Sequence, residues 1–139
     1  MVNTLAGRSL VSMKDLSLDD LRLVLETAAA VKRCPQEYAA KFAGQTLGMI
    51  FQKPSLRTRV SFEAGMTQMG GHAIYLAPTD ISLAKRETTE DIALVLSRFA
   101  HVIMARTFGH DIVLDLARHA TVPVINGLSD HEHPCQILA

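Results

Sequence analysis

Apolar and polar positions along the chain switch repeatedly between a helical and a strand-like period. The first element starts at Ser17, where S-L-D-D has the form of a capping box with Asp20 at the third helical position. Leu18, Leu21, Leu25 and Ala28 then recur at helical spacing, Val24 and Val31 widen the stripe, and Pro35 ends it. A short second helix is expected over about residues 36–42, stopped by Gly44. Residues 47–51, L-G-M-I-F, are too short and too apolar for a helix and predict a buried strand. The helical period returns over about residues 57–69, with Phe62, Gly65, Met66 and Met69 on one side and Gly70-Gly71 as the C-cap. Residues 72–76 predict a second strand. Thr88 to Asp91 reads as another capping box, opening a helix with Ile92, Val95, Leu96 and Phe99 on one face. Residues 101–106 predict a third strand, 111–119 a helix, and 121–126 a fourth strand, placed at a sheet edge because Pro123 cannot donate to a ladder. Pro134 suits the first turn of a last helix.

Strands alternating with helical crossovers predict an α/β fold of three layers, a four-stranded parallel sheet flanked by helices. At 139 residues the chain is expected to be one domain. The 48% apolar and 20% charged residues match globular usage. No apolar run is long enough to span a membrane, and MVNTLAGRSLVSMKD has no apolar signal core, so a cytoplasmic protein is expected. Fourteen Lys and Arg balance 14 Asp and Glu, which argues against a polyanion surface and against nucleic acid as partner. Any anion site must be local. Cys34 and Cys135 lie outside any C-x-x-C pattern and are expected as free thiols.

Ligands of open α/β sheets bind beyond the carboxyl ends of the strands, and three polar clusters fall there. The first is K-P-S-L-R-T-R, residues 53–59, between the first strand and its helix. It combines Ser55 and Thr58 hydroxyls, helix N-terminal N–H groups and the Arg57 fork, the makings of a phosphate cradle without P-loop glycines. A solvated basic turn fits the spacing equally well. The second is Arg106, ending the third strand, which alone marks only a surface. The third is S-D-H-E-H-P-C-Q, residues 129–136. Its alternating His131, His133 and Cys135 suggest zinc on an extended backbone. Pro134 breaks that alternation and a fourth ligand is missing, so the other reading makes His133 and Gln136 donors on one face of the new helix.

The motifs K-P-S-L-R-T-R-V-S-F-E, M-A-R-T-F and N-G-L-S-D-x-E-H-P-C-Q-I-L-A, in this order, resemble the carbamoyl-phosphate half of the carbamoyltransferase family, closest to its ornithine branch. The resemblance covers nearly the whole chain. It implies transfer of the carbamoyl group from carbamoyl phosphate to the ornithine amine, giving citrulline and phosphate in arginine metabolism. It implies that Ser55, the Leu56 main chain, Arg57 and Thr58 hold the phosphate, and that Arg106 reaches both phosphate and carbonyl oxygen. His133 would donate to that oxygen and Gln136 would hold the amino group. Arg106, His133 and Arg57 are thus the implied catalytic residues, with no cofactor and no metal. It also implies a homo-oligomer, a trimer.

The chain departs from the ornithine pattern at residues 81–88, I-S-L-A-K-R-E-T. Ser82 stands where a Gln is usual and Ala84 where a Gly is usual, as in the aspartate branch, so Ser82 and Lys85 are implied to reach an adjacent subunit's site. Cys135 speaks for the ornithine branch, because aspartate enzymes usually carry Thr there. Family members are about twice as long. The expectation is therefore a carbamoyl-phosphate domain spanning residues 1–139, with the amino-acid domain absent and residues 134–139 beginning the inter-domain helix. Alone it should bind carbamoyl phosphate weakly and not turn over. Competing readings are another acceptor (aspartate or a modified ornithine), a non-catalytic anion-binding or oligomerisation module, and the zinc domain.

Overall fold

A backbone that alternates between the two periods has few ways to bury both, and the computed structural model, which describes residues 5–81 and 87–139, uses the parallel one. Helix α1 (Leu18–Arg33) is followed by β1 (Thr46–Phe51), α2 (Leu56–Gln68), β2 (His72–Leu76), α3 (Thr89–Leu96), β3 (Val102–Arg106), α4 (His110–His119), β4 (Val124–Leu128) and α5 (Pro134–Leu138). The sheet order is β2-β1-β3-β4, all parallel. The order reverses after β2, so β1 and β3 are neighbours whose carboxyl ends emerge side by side, Phe51 opposite Arg106. That is the switch point at which such sheets bind ligands.

Side-chain alternation divides the core between two faces. Ile50, Ile103, Ala105 and Val124 pack under Ile92, Ala93, Val113 and Leu116 of α3 and α4. Leu47, Met49, Phe51 and Met104 pack under Phe62 and Met66 of α2. β1 is buried along residues 47–51 because it sits between two strands and two helical layers.

The local signals act as expected at most element ends. Ser17 and Asp20 form the reciprocal capping box. Thr88 accepts from Asp91 N–H, but its hydroxyl also donates to the Asp91 carboxylate at 2.7 Å, so this box is closed side chain to side chain. α2 ends at a left-handed Gly70 (φ 81°), where a Cβ would lie 2.7 Å from the Ala39 carbonyl oxygen.

Four expectations shift. The predicted helix over 36–42 is a single 3-10 turn, Pro35–Tyr38, followed by further turns: the segment is too short to nucleate a stable α-helix. β4 begins at Val124, later than expected, because Pro123 is followed by the first residue able to pair on both sides. Its edge position stands, with Leu10 bridging to Ile125 on the outer side. α3 stops at Leu96, leaving Phe99 70% exposed in the turn beyond it. The apolar stripe of α1 does not enter the sheet core. Leu18 and Leu25 are exposed, and the one fully covered residue of the helix is Asp20, held by Arg8 at 3.1 Å.

Candidate functional site

The first arm of the site is the turn from β1 into α2. Pro54 stops the strand, and Ser55 takes the extended N-cap geometry, its Oγ accepting from Thr58 N–H at 3.3 Å. The hydroxyl keeps its own proton to donate. Helix geometry leaves the Leu56 and Arg57 N–H groups without intrahelical acceptors, pointing out of the positive end of a 13-residue helix. The Leu56 side chain is 78% exposed, so this position offers its main chain to the site. Arg57 is exposed, with its fork free to swing over the N-terminus.

Arg106 comes from the adjacent strand end. Its Nη1 donates to Thr58 Oγ1 at 3.1 Å, which fastens the guanidinium to the first turn of α2. Its Nε is buried and has no partner among the described residues. Burial lowers the Arg106 pKa from its ordinary value, yet a guanidinium remains cationic in any protein. Gln52 N–H donates to the Arg106 carbonyl at 2.9 Å and Gln52 Oε1 accepts from Phe108 N–H at 2.9 Å, locking the two strand ends together.

The second arm is the loop from β4 into α5. His133 is the N-cap of α5, directly before Pro134, and its carbonyl accepts from Gln136 and Ile137 N–H. His133 Nδ1 is buried without a partner among the described residues. Burial and then the Arg106 charge lower the His133 pKa, so the ring stands neutral at neutral pH. One ring nitrogen then carries a proton to donate.

The two arms meet. Arg57, Thr58, His133 and Gln136 line one open cleft of about 180 Å³, together with Ser61 and Phe62 of α2. A larger hollow of about 240 Å³ lies beside α2, but Phe42, Leu47, Met66, Val102 and Ile125 make it apolar, and no charged group reaches it. The polar cleft is where an oxyanion finds donors. Chemically the arrangement offers an anion cradle on one side and, across the same cleft, a cationic and a neutral donor for developing negative charge.

The fold thus gathers Ser55, Leu56, Arg57, Thr58, Arg106, His133 and Gln136 at one sheet edge. Ser82 and Lys85 lie outside the described residues. The zinc arrangement is not formed. His131 sets its ring against that of His110, tilted by 45° with centroids 4.9 Å apart, the Cys135 thiol turns to the Asn126 carbonyl at 3.6 Å, and no group of three His, Cys, Asp or Glu among the described residues is placed to hold a metal ion. Burial raises the Cys135 pKa, leaving a protonated thiol. Sequence reasoning missed Asn126, Ser129 and Glu132, which hold the second arm. The signal they give is their place in the N-G-L-S-D-x-E-H-P-C-Q run, which by itself assigns them no role.

Residues 8–139 match the family model of the aspartate/ornithine carbamoyltransferase, carbamoyl-P binding domain. The chain is 54% identical over 129 residues to an ornithine carbamoyltransferase of Haloquadratum walsbyi, covering 93% of this chain and 42% of that protein. It is 52% identical over 141 residues to an anabolic ornithine carbamoyltransferase of Pyrococcus furiosus, covering 100% of this chain and 45% of the relative. The solved structure of ornithine carbamoyltransferase from Pyrococcus furiosus superposes with a TM-score of 0.93 at 51% identity, over 96% of this chain and 44% of that one. The chain spans less than half the length of the relatives it matches.

Proposed function

The chain belongs to the aspartate/ornithine carbamoyltransferase family through its carbamoyl-phosphate-binding domain, and on that premise we propose that it forms the half-site holding carbamoyl phosphate for transfer to the ornithine amine. The observation that carries this reading is the meeting of Arg57, Thr58, His133 and Gln136 in one cleft, with Arg106 bonded to Thr58. Ser55, the Leu56 N–H, Arg57 and Thr58 take the phosphate at the α2 N-terminus. Arg106 spans phosphate and carbonyl oxygen, neutral His133 donates to that oxygen, and Gln136 holds the carbamoyl amino group.

In the reaction the amine lone pair attacks the carbonyl carbon and a C–N bond forms. Charge builds on the oxygen held by Arg106 and His133. The C–O bond to phosphate then breaks, the phosphate departs with the electron pair into the cradle that held it, and the proton released by the amine passes to that phosphate. Each step is helped by donors already in place.

The residues of this chain account for the carbamoyl-phosphate side of the reaction, over less than half the length of the relatives it matches. Residues 134–139 begin the helix that leads to the acceptor domain. The assembly is a homotrimer in which Ser82 and Lys85 serve the adjacent subunit, a reading that rests on the family resemblance of residues 81–88. The setting is cytoplasmic, consistent with two free cysteines.

Thermal unfolding against rising carbamoyl phosphate tests the half-site. A ligand at 100 times its dissociation constant adds about 2.7 kcal/mol of stability. The expected result is a shift larger than inorganic phosphate gives. No shift at millimolar carbamoyl phosphate in a cooperatively folding sample would overturn the reading.

A further inference from the structure

β4 carries an amide where its pattern calls for an apolar residue. Ile125 packs on the α2 side, so Asn126 faces the opposite side, in line with Val124 and beside Ala105. It is completely buried, and its Oδ1 has no hydrogen-bond partner among the described residues. Proteins seldom tolerate an orphaned buried acceptor without a reason, and here the reason lies on the other atom of the amide. Asn126 Nδ2 donates to the Val11 carbonyl at 3.0 Å and approaches Ser129 Oγ at 3.3 Å and the Glu132 carbonyl at 3.5 Å.

The Glu132 carbonyl belongs to the peptide that joins Glu132 to His133. Ser129 N–H donates to it at 3.1 Å and Ser129 Oγ lies 3.4 Å away. Ser129 is itself buried, and its Oγ meets His110 Nδ1 at 2.9 Å. The peptide after His133 is pinned independently, because the His133 carbonyl accepts from Gln136 and Ile137 N–H of α5. Both peptides flanking the imidazole are therefore fixed, one by α5 and one by the Asn126–Ser129 pair. Asn126 is anchored in turn from behind: its N–H donates to the Leu10 carbonyl at 2.8 Å, and Val11 takes its side chain. It is not among the residues that line the cleft.

We infer that Asn126 is the positioning residue for His133, acting through Ser129 and the Glu132 carbonyl to aim the imidazole at the carbonyl oxygen of carbamoyl phosphate. This rests on the half-site reading above. Its consequence is selective. The phosphate cradle on α2 shares no hydrogen bond with Asn126, whereas the carbamoyl end depends on His133. Loosening Asn126 should cost recognition of the carbamoyl group and spare recognition of phosphate.

The experiment titrates Asn126→Ala and Ser129→Ala with carbamoyl phosphate and with inorganic phosphate, and follows the His133 ring by NMR. Val113→Ala, a truncation on the buried face of α4, serves as the control for lost stability. The expected result is a dissociation constant for carbamoyl phosphate raised about tenfold, the size seen when groups that orient a ligating histidine are removed. That for phosphate should stay unchanged, and the His133 ring signals should shift in both variants but not in Val113→Ala. If Asn126→Ala does not fold, Ser129→Ala carries the comparison. Equal weakening of both ligands, an unmoved ring, or the same selective loss in Val113→Ala overturns the inference. A parent protein that does not prefer carbamoyl phosphate to phosphate overturns the half-site reading instead, and the ring signals then decide the role of Asn126 alone.

Discussion

The two arms of the cleft are built by opposite means. The arm on α2 is a local structure. Ser55 caps Thr58 three residues on, Ser61 bonds the Thr58 carbonyl, and Arg59 pairs with Glu63 four residues on at 3.0 Å. The arm before α5 is held from far away in sequence. Glu132 accepts from Met13 N–H across 119 residues and Asn126 donates to Val11 across 115. Burial acts to raise the Glu132 pKa, but hydrogen bonds from Ser12 and Met13 and the nearby His131 and His110 lower it overall, so the carboxylate is ionised when it grips the N-terminal segment. A helix N-terminus forms wherever its helix forms. A loop held by remote groups forms only when the sheet is complete. The phosphate end should therefore be the robust half of the site and the carbamoyl end the conditional one.

Arg106 tests the comparison hardest, because it joins the arms: it bonds Thr58 and its charge is felt by His133. In the complete enzyme Arg106→Ala should cut the rate by at least about 10²–10³-fold, the usual cost of one oxyanion donor. A steady-state loss below tenfold would show that the arms work without it.

Arg57→Ala strikes the local arm alone. It should abolish most of the roughly 2.7 kcal/mol stabilisation that saturating carbamoyl phosphate supplies, leaving the unliganded midpoint in place, since Arg57 is exposed and ties nothing down. An unchanged ligand shift in a thermal melt would remove Arg57 from the cradle.

Ser55→Ala should cost about 1 kcal/mol through the lost N-cap and weaken phosphate binding as well. Denaturant unfolding and phosphate titration would read the two effects separately. Stability lost with phosphate affinity intact would make Ser55 a cap and nothing more.

The smallest effect is the His133 titration. Its folded pKa lies below the ordinary 6.5 because burial and Arg106 disfavour the charged ring. The unfolded chain then binds the extra proton first, so this group's contribution to stability is present above about pH 6.5 and is lost as pH falls through the window beneath it. An NMR midpoint at or above 6.5 would place the ring outside the buried, cationic surroundings described here.

These contrasts follow what was legible beforehand. The amino-acid sequence by itself determined the element order, the α/β alternation, the Ser17 and Thr88 caps and the helix start after Pro54 that places Ser55 as a cap. Each depends on residues within one or two turns of each other, so periodicity and capping chemistry express them. The motif order also carried Arg106, His133 and Gln136 as a family resemblance, although spacing alone left the second cluster open between a zinc site and a donor pair. Only the tertiary structure showed that His131, His133 and Cys135 do not converge, placing His131 against His110 and Cys135 against the Asn126 carbonyl. It also decided that Arg106 meets Thr58 across 48 residues and that Asn126, present in the motif without an assigned role, bonds toward the Glu132 carbonyl before His133. The reason is one of range: a hydrogen bond between residues a hundred positions apart leaves no periodic trace, because its geometry is set by the sheet register that brings the partners together and not by the residues between them.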